Sequence, residues 1–199
     1  HIPASLRTER PIDIAPLSEP ELLVHLGEIA AQSQAPRASF LGAGLIPHAI
    51  PTAVDMLLTR SEWYTSYTPY QPEISQGTLQ AVFEFQTIVS EIFGLPLANA
   101  SMYDAASGTA EAVLMAKRLT DRERVLVAQS LHPHAQETIA TYLAGDPSFD
   151  PTSLVTVAQG ADGRVDRAAC EAALAAGAAA CLVIQSPSFY GCIEDLAAL

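Results

Sequence analysis

The sequence predicts an α/β fold whose strands run parallel, and three observations carry that expectation. Short apolar runs at Arg124–Gln129, Leu154–Ala158 and Cys181–Gln185 alternate with helical patterns at Ala135–Leu143 and Arg167–Ala176; strands separated in this way by helices pair in parallel through right-handed crossovers. With 49% hydrophobic and 16% charged residues among 199, the chain has material for one domain with a sizeable core, and this is not the composition of a disordered chain. Two earlier helical patterns, one over Thr78–Phe93 and one after Thr109, add long apolar faces.

Taken in order, Ile2–Leu17 is Pro-rich and extended, an arm that gains stability only by lying against other protein surface. Ser18-Glu19-Pro20-Glu21 is an S-x-x-E capping box with Pro in the first turn, and Leu22, Leu23, Leu26 and Ile29 follow at helical spacing, which predicts a helix over Pro20–Ala31. Gly42, Gly44, Pro47 and Pro51 punctuate a loop before a short helix through Val54, Met56 and Leu57. Ser61–Gly77 reads as a loop with three Tyr, one Trp and two Pro. Leu79, Val82, Phe83, Phe85, Ile88, Val89, Ile92 and Phe93 then keep a helical period until Gly94 and Pro96 stop it, the pattern of a core helix. The next helix starts after Ala105-Ala106-Ser107-Gly108-Thr109 and runs to about Leu119, with Ala110, Val113, Leu114 and Ala116 on its packed face. Residues 1–60 are thus expected to be an arm with helices and 61–199 part of a larger α/β domain. A chain opening at His1 and stopping at Leu199 is expected to be a piece of something longer.

Charge excludes several partners. Ten Lys+Arg against 22 Asp+Glu leave a net charge of −12, which repels nucleic acid and anionic lipid. No apolar run reaches the roughly 20 residues of a membrane span, and no basic-then-apolar leader opens the chain, so a cytoplasmic protein is expected. Cys170, Cys181 and Cys192 fit neither a disulfide framework nor a zinc pattern and are expected to be buried small apolar groups.

Ligands of open α/β sheets bind where strands end and helices begin, because helix N-termini present unpaired N–H groups and a positive dipole end. Three segments fall at such points: Ser107-Gly108-Thr109, His132-Pro133-His134 and Gln185-Ser186-Pro187. The first either cradles a phosphate or simply caps its helix. His132 either lies against a planar cofactor or caps its loop, and no carboxylate or thiol cluster completes a metal shell around it, so no metal is expected. Gly42-Ala43-Gly44 lacks a third glycine and a preceding strand, so no dinucleotide fingerprint is present. The tyrosine loop, with Gln71 and Glu73, either lines a pocket with phenol donors and a carboxylate or plugs an interface.

Phe40-Leu41-Gly42-Ala43-Gly44, Tyr67-Thr68-Pro69-Tyr70-Gln71-Pro72-Glu73-Ile74-Ser75-Gln76-Gly77, Phe83-Glu84-Phe85-Gln86-Thr87 and Ala98-Asn99-Ala100-Ser101-Met102-Tyr103-Asp104 closely resemble the glycine decarboxylase (P-protein) of the glycine cleavage system, across nearly the whole chain. The resemblance implies the fold type I, aspartate-aminotransferase-like fold of pyridoxal phosphate enzymes, this chain covering the large-domain α/β/α part with an N-terminal helical arm. It implies decarboxylation of glycine and transfer of the aminomethyl group to the lipoyl arm of H-protein. Within the family the chain resembles subunit 1 of the split two-subunit form. By position, Ser107, Gly108 and Thr109 correspond to the cofactor-phosphate site and His132 to the residue that stacks on the pyridine ring.

Pyridoxal chemistry needs a lysine for the Schiff base. The one lysine here, Lys117, lies about two turns past the phosphate loop and is expected to face solvent. The resemblance implies that the cofactor lysine belongs to the homologous subunit 2. Tyr67, Tyr70, Gln71 and Glu73 are then the groups this chain lends to the glycine pocket or the phosphate. Two rival readings stay open: a structural subunit with a vestigial cofactor pocket, and another fold type I amino-acid decarboxylase.

Overall fold

The computed structural model describes residues 1–8, 10, 13–33, 38, 40 and 47–197. It divides into two compact units, His1–Gly42 and Ala43–Leu199. The Gly42-Ala43-Gly44 segment singled out in the sequence lies outside the described residues.

In the smaller unit a 3-10 turn at Ala4–Leu6 precedes helix α1, Glu19–Ala31. The capping box forms: the Glu21 carboxylate accepts from the Ser18 N–H at 2.8 Å and from the Ser18 hydroxyl at 2.6 Å. Those bonds hold the Glu21 pKa below its ordinary value. Every described residue of this unit is exposed, Leu22, Leu23, Leu26 and Ile29 included.

The larger unit opens with α2 (Thr52–Leu58), α3 (Ser61–Tyr64) and α4 (Gln76–Phe93). Two expectations are corrected here. The tyrosine segment is not one loop, because its first residues wind into α3, whose Trp63 N–H reaches the Arg60 carbonyl at 3.0 Å. Nor is α4 a core helix: it buries no residue, and Phe83 and Ile92 are 71% and 72% exposed. Its periodicity marks a face that needs cover without saying what supplies it. Gly94 ends α4 at φ +65°, a conformation that favours glycine, while the Leu95 N–H bonds the Ser90 carbonyl at 3.1 Å.

Beyond α4 the alternation appears as read: α5 (Ala105–Thr120), β1 (Arg124–Ala128), α6 (Pro133–Ala144), β2 (Leu154–Val157), α7 (Arg167–Ala175) and β3 (Ala179–Val183). The strands form a parallel sheet in the order β2-β1-β3, with Leu126 opposite Val155 on one side and Leu182 on the other. Period-two alternation sends successive β1 side chains to opposite faces. Val125 and Val127 pack with Ala110 and Val113 of α5 and Ile139 and Leu143 of α6. Leu126 and Ala128 pack with Val157, Val165 and Cys170. Since β1 leads through α6 to one neighbour and β2 leads back through α7 to the other, crossovers of one hand require α6 and α7 on opposite faces, as these clusters place them. The result is a three-layer α/β/α sandwich.

Polar links lock the layers. Arg124 donates from β1 to the Ala173 carbonyl, and to that of Gly177 at 3.2 Å, which satisfies groups at the end of α7. Of the cysteines only Cys170 is buried; Cys181 and Cys192 are half-buried, so the expectation of three buried thiols fails for two of them. Burial pushes the Cys181 thiol pKa up, which makes it a poor nucleophile. Ile139→Ala is expected to cost about 2–5 kcal/mol, whereas Phe93→Ala on the exposed face of α4 should stay within about 0.5 kcal/mol for the isolated chain. Chemical denaturation of both variants checks the pair; equal losses would contradict the core assignment.

Candidate functional site

At the carboxyl ends of β1 and β3 lies an open cavity of about 480 Å³. Ala105, Ala106 and Thr109 of α5 form one wall, and Leu131, His132 and Ala135 the second. Val183, Ile184, Gln185 and Ser186 leave β3 to form the third. The sheet thus gathers residues of all three segments picked out by their position at strand ends. Two backbone amides hold the second and third walls together: the His132 N–H donates to the side-chain Oε1 of Gln185 at 2.9 Å, and the Phe189 N–H to the Ser130 carbonyl at 2.9 Å. Phe189 meets the His132 ring edge to face at 5.1 Å between centroids.

His132 is the N-cap of α6, and its Nδ1 accepts the His134 N–H at 3.1 Å. An accepting Nδ1 carries no proton, so the neutral ring holds its proton on Nε2.

The first wall differs from the expectation. Helix α5 starts at Ala105, so Ser107, Gly108 and Thr109 sit inside its first turns and not before them. Asp104 is the N-cap: its Oδ1 accepts the Ser107 N–H at 2.7 Å, which holds the Asp104 pKa below its ordinary value. Ser107 is buried, and its hydroxyl donates to the Asp104 carbonyl at 3.2 Å. Thr109 donates its hydroxyl to the Ala105 carbonyl at 2.6 Å. Gly108 does not line the cavity; a Cβ there would stand 3.6 Å from the Met102 side chain.

The tyrosine loop stays apart. Tyr67 and Tyr70 are 85% and 80% exposed, Gln71 and Glu73 are exposed, and none of the four lines the cavity. Lys117 does not face solvent as expected. Its side chain is 10% exposed, its Nζ lies 2.6 Å from Glu123, and it stands 5.8 Å over the Phe149 ring. Glu194, which belongs to none of the motifs read from the sequence, is a buried carboxylate whose two oxygens each accept the Val165 N–H at 3.2 Å, tying the segment after β3 to the segment before α7. No spacing pattern announces such a bond. Among the described residues no group of three or more His, Cys, Asp or Glu could hold a metal, and no helix is long and apolar enough to cross a membrane.

The family model of the glycine cleavage system P-protein matches residues 1–199. The chain belongs to the glycine cleavage system P-protein family. A probable glycine dehydrogenase (decarboxylating) subunit 1 of Sorangium cellulosum is 52% identical over 197 residues, covering 98% of this chain and 43% of that protein. The protein of the same description from Anaeromyxobacter dehalogenans strain 2CP-C is 48% identical over 198 residues. A crystal structure of glycine decarboxylase (P-protein) of the glycine cleavage system, in inhibitor-bound form, superposes with a TM-score of 0.82 at 39% identity, covering all of this chain and 43% of that one. This P-protein family chain therefore spans less than half the length of these relatives. Its fold class is the one the resemblance implied, the large-domain α/β/α part of fold type I.

Because Asp104 has a depressed pKa in the folded chain, its cap is fully present above the ordinary aspartate value of 3.8 and is lost as pH falls through the lower folded value. The Ser107 amide resonance is therefore expected to titrate with a midpoint below 3.8. A midpoint at or above that value would contradict the cap.

Proposed function

We propose that this chain is part of subunit 1 of a two-subunit glycine decarboxylase, the enzyme of the glycine cleavage system that removes CO2 from glycine and passes the aminomethyl group to the lipoyl group of H-protein. The position of its one amine side chain carries the reading. Lys117 lies about 18 Å along α5 from the helix end that lines the cavity, and it is already paired with Glu123. The amine that a pyridoxal enzyme requires thus lies outside these residues, and in this reading the homologous subunit 2 supplies it.

Pyridoxal phosphate, the cofactor the family implies, does not fit the residues present. The amino end of α5 is capped by a carboxylate, both nearby hydroxyls donate to helix carbonyls, and among the described residues no Lys or Arg lines the cavity. No chemical step is therefore assigned to this chain's own cavity, neither to Ser107, Gly108 and Thr109 nor to His132.

Its contribution is positioning across the subunit interface. Exposed Tyr67 and Tyr70 offer phenol donors to the glycine carboxylate, Gln71 an amide, and Glu73 a carboxylate that orients the ammonium group. Three unpaired thiols suit a reducing compartment, and we place the protein in the cytoplasm.

The test pairs the full-length protein with subunit 2 and follows CO2 release from glycine. Tyr70→Phe and Glu73→Ala should each lower turnover by about 10²-fold while the subunits still assemble. Unchanged turnover with intact assembly would make this chain a structural subunit with a vestigial pocket.

A further inference from the structure

The fold family's cofactor and these residues disagree at the amino end of α5, where the Asp104 side chain places a carboxylate. A 16-residue helix with Ser107-Gly108-Thr109 in its opening turns has what an anion site ordinarily uses: a positive dipole end, two hydroxyls and a glycine. The two hydroxyls, the glycine and the Ser107 amide are diverted. The Asp104 Oδ1 takes the Ser107 N–H at 2.7 Å, and the Asp104 carbonyl takes the Gly108 N–H at 3.0 Å. The hydroxyl protons of Ser107 and Thr109 go to the carbonyls of Asp104 and Ala105. Gly108 gives its open side to Met102 and not to the cavity. Asp104 is itself exposed, so its carboxylate meets any anion that approaches the helix end.

We propose that Asp104 is the specificity-determining residue that closes the amino end of α5 to phosphate, so that the cavity of this chain discriminates against phosphate-bearing ligands. The carboxylate does internally part of what a bound phosphate does elsewhere: it opposes the helix dipole and accepts one of its free amides, that of Ser107. It then repels a second anion. This inference concerns the chain's own cavity and holds or fails independently of the decarboxylase reading.

The test uses the isolated full-length protein and two probes without an aldehyde, pyridoxine and pyridoxine 5′-phosphate, so that no lysine anywhere can capture them covalently. Calorimetry measures affinity, and the Ser107 and Gly108 amide resonances report the place. Asp104→Asn removes the charge with little change of shape, and Asp104→Ser supplies a second capping side chain, so the helix start is kept in both. Thermal midpoints check that both variants remain folded.

The wild type should show no preference for the phosphorylated probe. Both variants should bind pyridoxine 5′-phosphate about tenfold or more tighter than the wild type, with the two amides shifting and with pyridoxine affinity unchanged. A wild type that binds the phosphorylated probe as tightly as the variants would overturn the proposal. So would folded variants that gain no affinity for it.

Discussion

Because β1 buries Val125 and Val127 against α5 and α6 and Leu126 and Ala128 on the α7 side, it is held at the centre of the sheet. A strand covered on both faces cannot slip by one residue without exchanging its two sets of side chains between the layers. That register fixes where β1 and β3 end, hence where Leu131, His132, Gln185 and Ser186 converge. The cavity is a consequence of the sheet topology more than of any single polar contact.

The same burial is unevenly distributed over the chain. Among the described residues the buried core lies in the sheet, in α5, α6 and α7 and in the segments that join them, whereas α1, α2, α3 and α4 bury no residue. Leu26 on α1 and Phe83 on α4 are apolar groups left in water, a cost that further protein surface removes. This agrees with a chain spanning 43% of its Sorangium relative. A cleft of about 470 Å³ along the end of α4, lined by Phe83, Leu95 and Leu97, belongs to that uncovered surface and contains no cluster of reactive groups.

The sheet and its helices were legible in the sequence because buried parallel strands leave continuous apolar runs, such as Val125–Ala128, between amphipathic helices. Position alone also picks out the three strand-end segments, and the topology of an open α/β sheet brings residues of all three together. Periodicity does not tell a core helix from one whose apolar face is exposed, and α4 is of the second kind. The Asp104 cap is not legible in the sequence, because Asp104-Ala105-Ala106-Ser107 lacks the Glu or Gln that completes the familiar box and Ser107 therefore reads as loop chemistry. Lys117 was expected to face solvent because helical position says nothing of Glu123 beyond the helix end or of Phe149 on the segment before β2. Glu194 reaches 29 residues back to the Val165 N–H, a separation that no local pattern encodes.

In the proposed two-subunit enzyme no amine among these residues holds the cofactor. Borohydride reduction of the assembled two-subunit enzyme, followed by peptide mapping, tests it directly, because reduction fixes the pyridoxyl group on whichever lysine carried it. The pyridoxyl label should map to subunit 2, with none on Lys117. A label on Lys117 that grows in proportion to the loss of glycine decarboxylation would contradict the account.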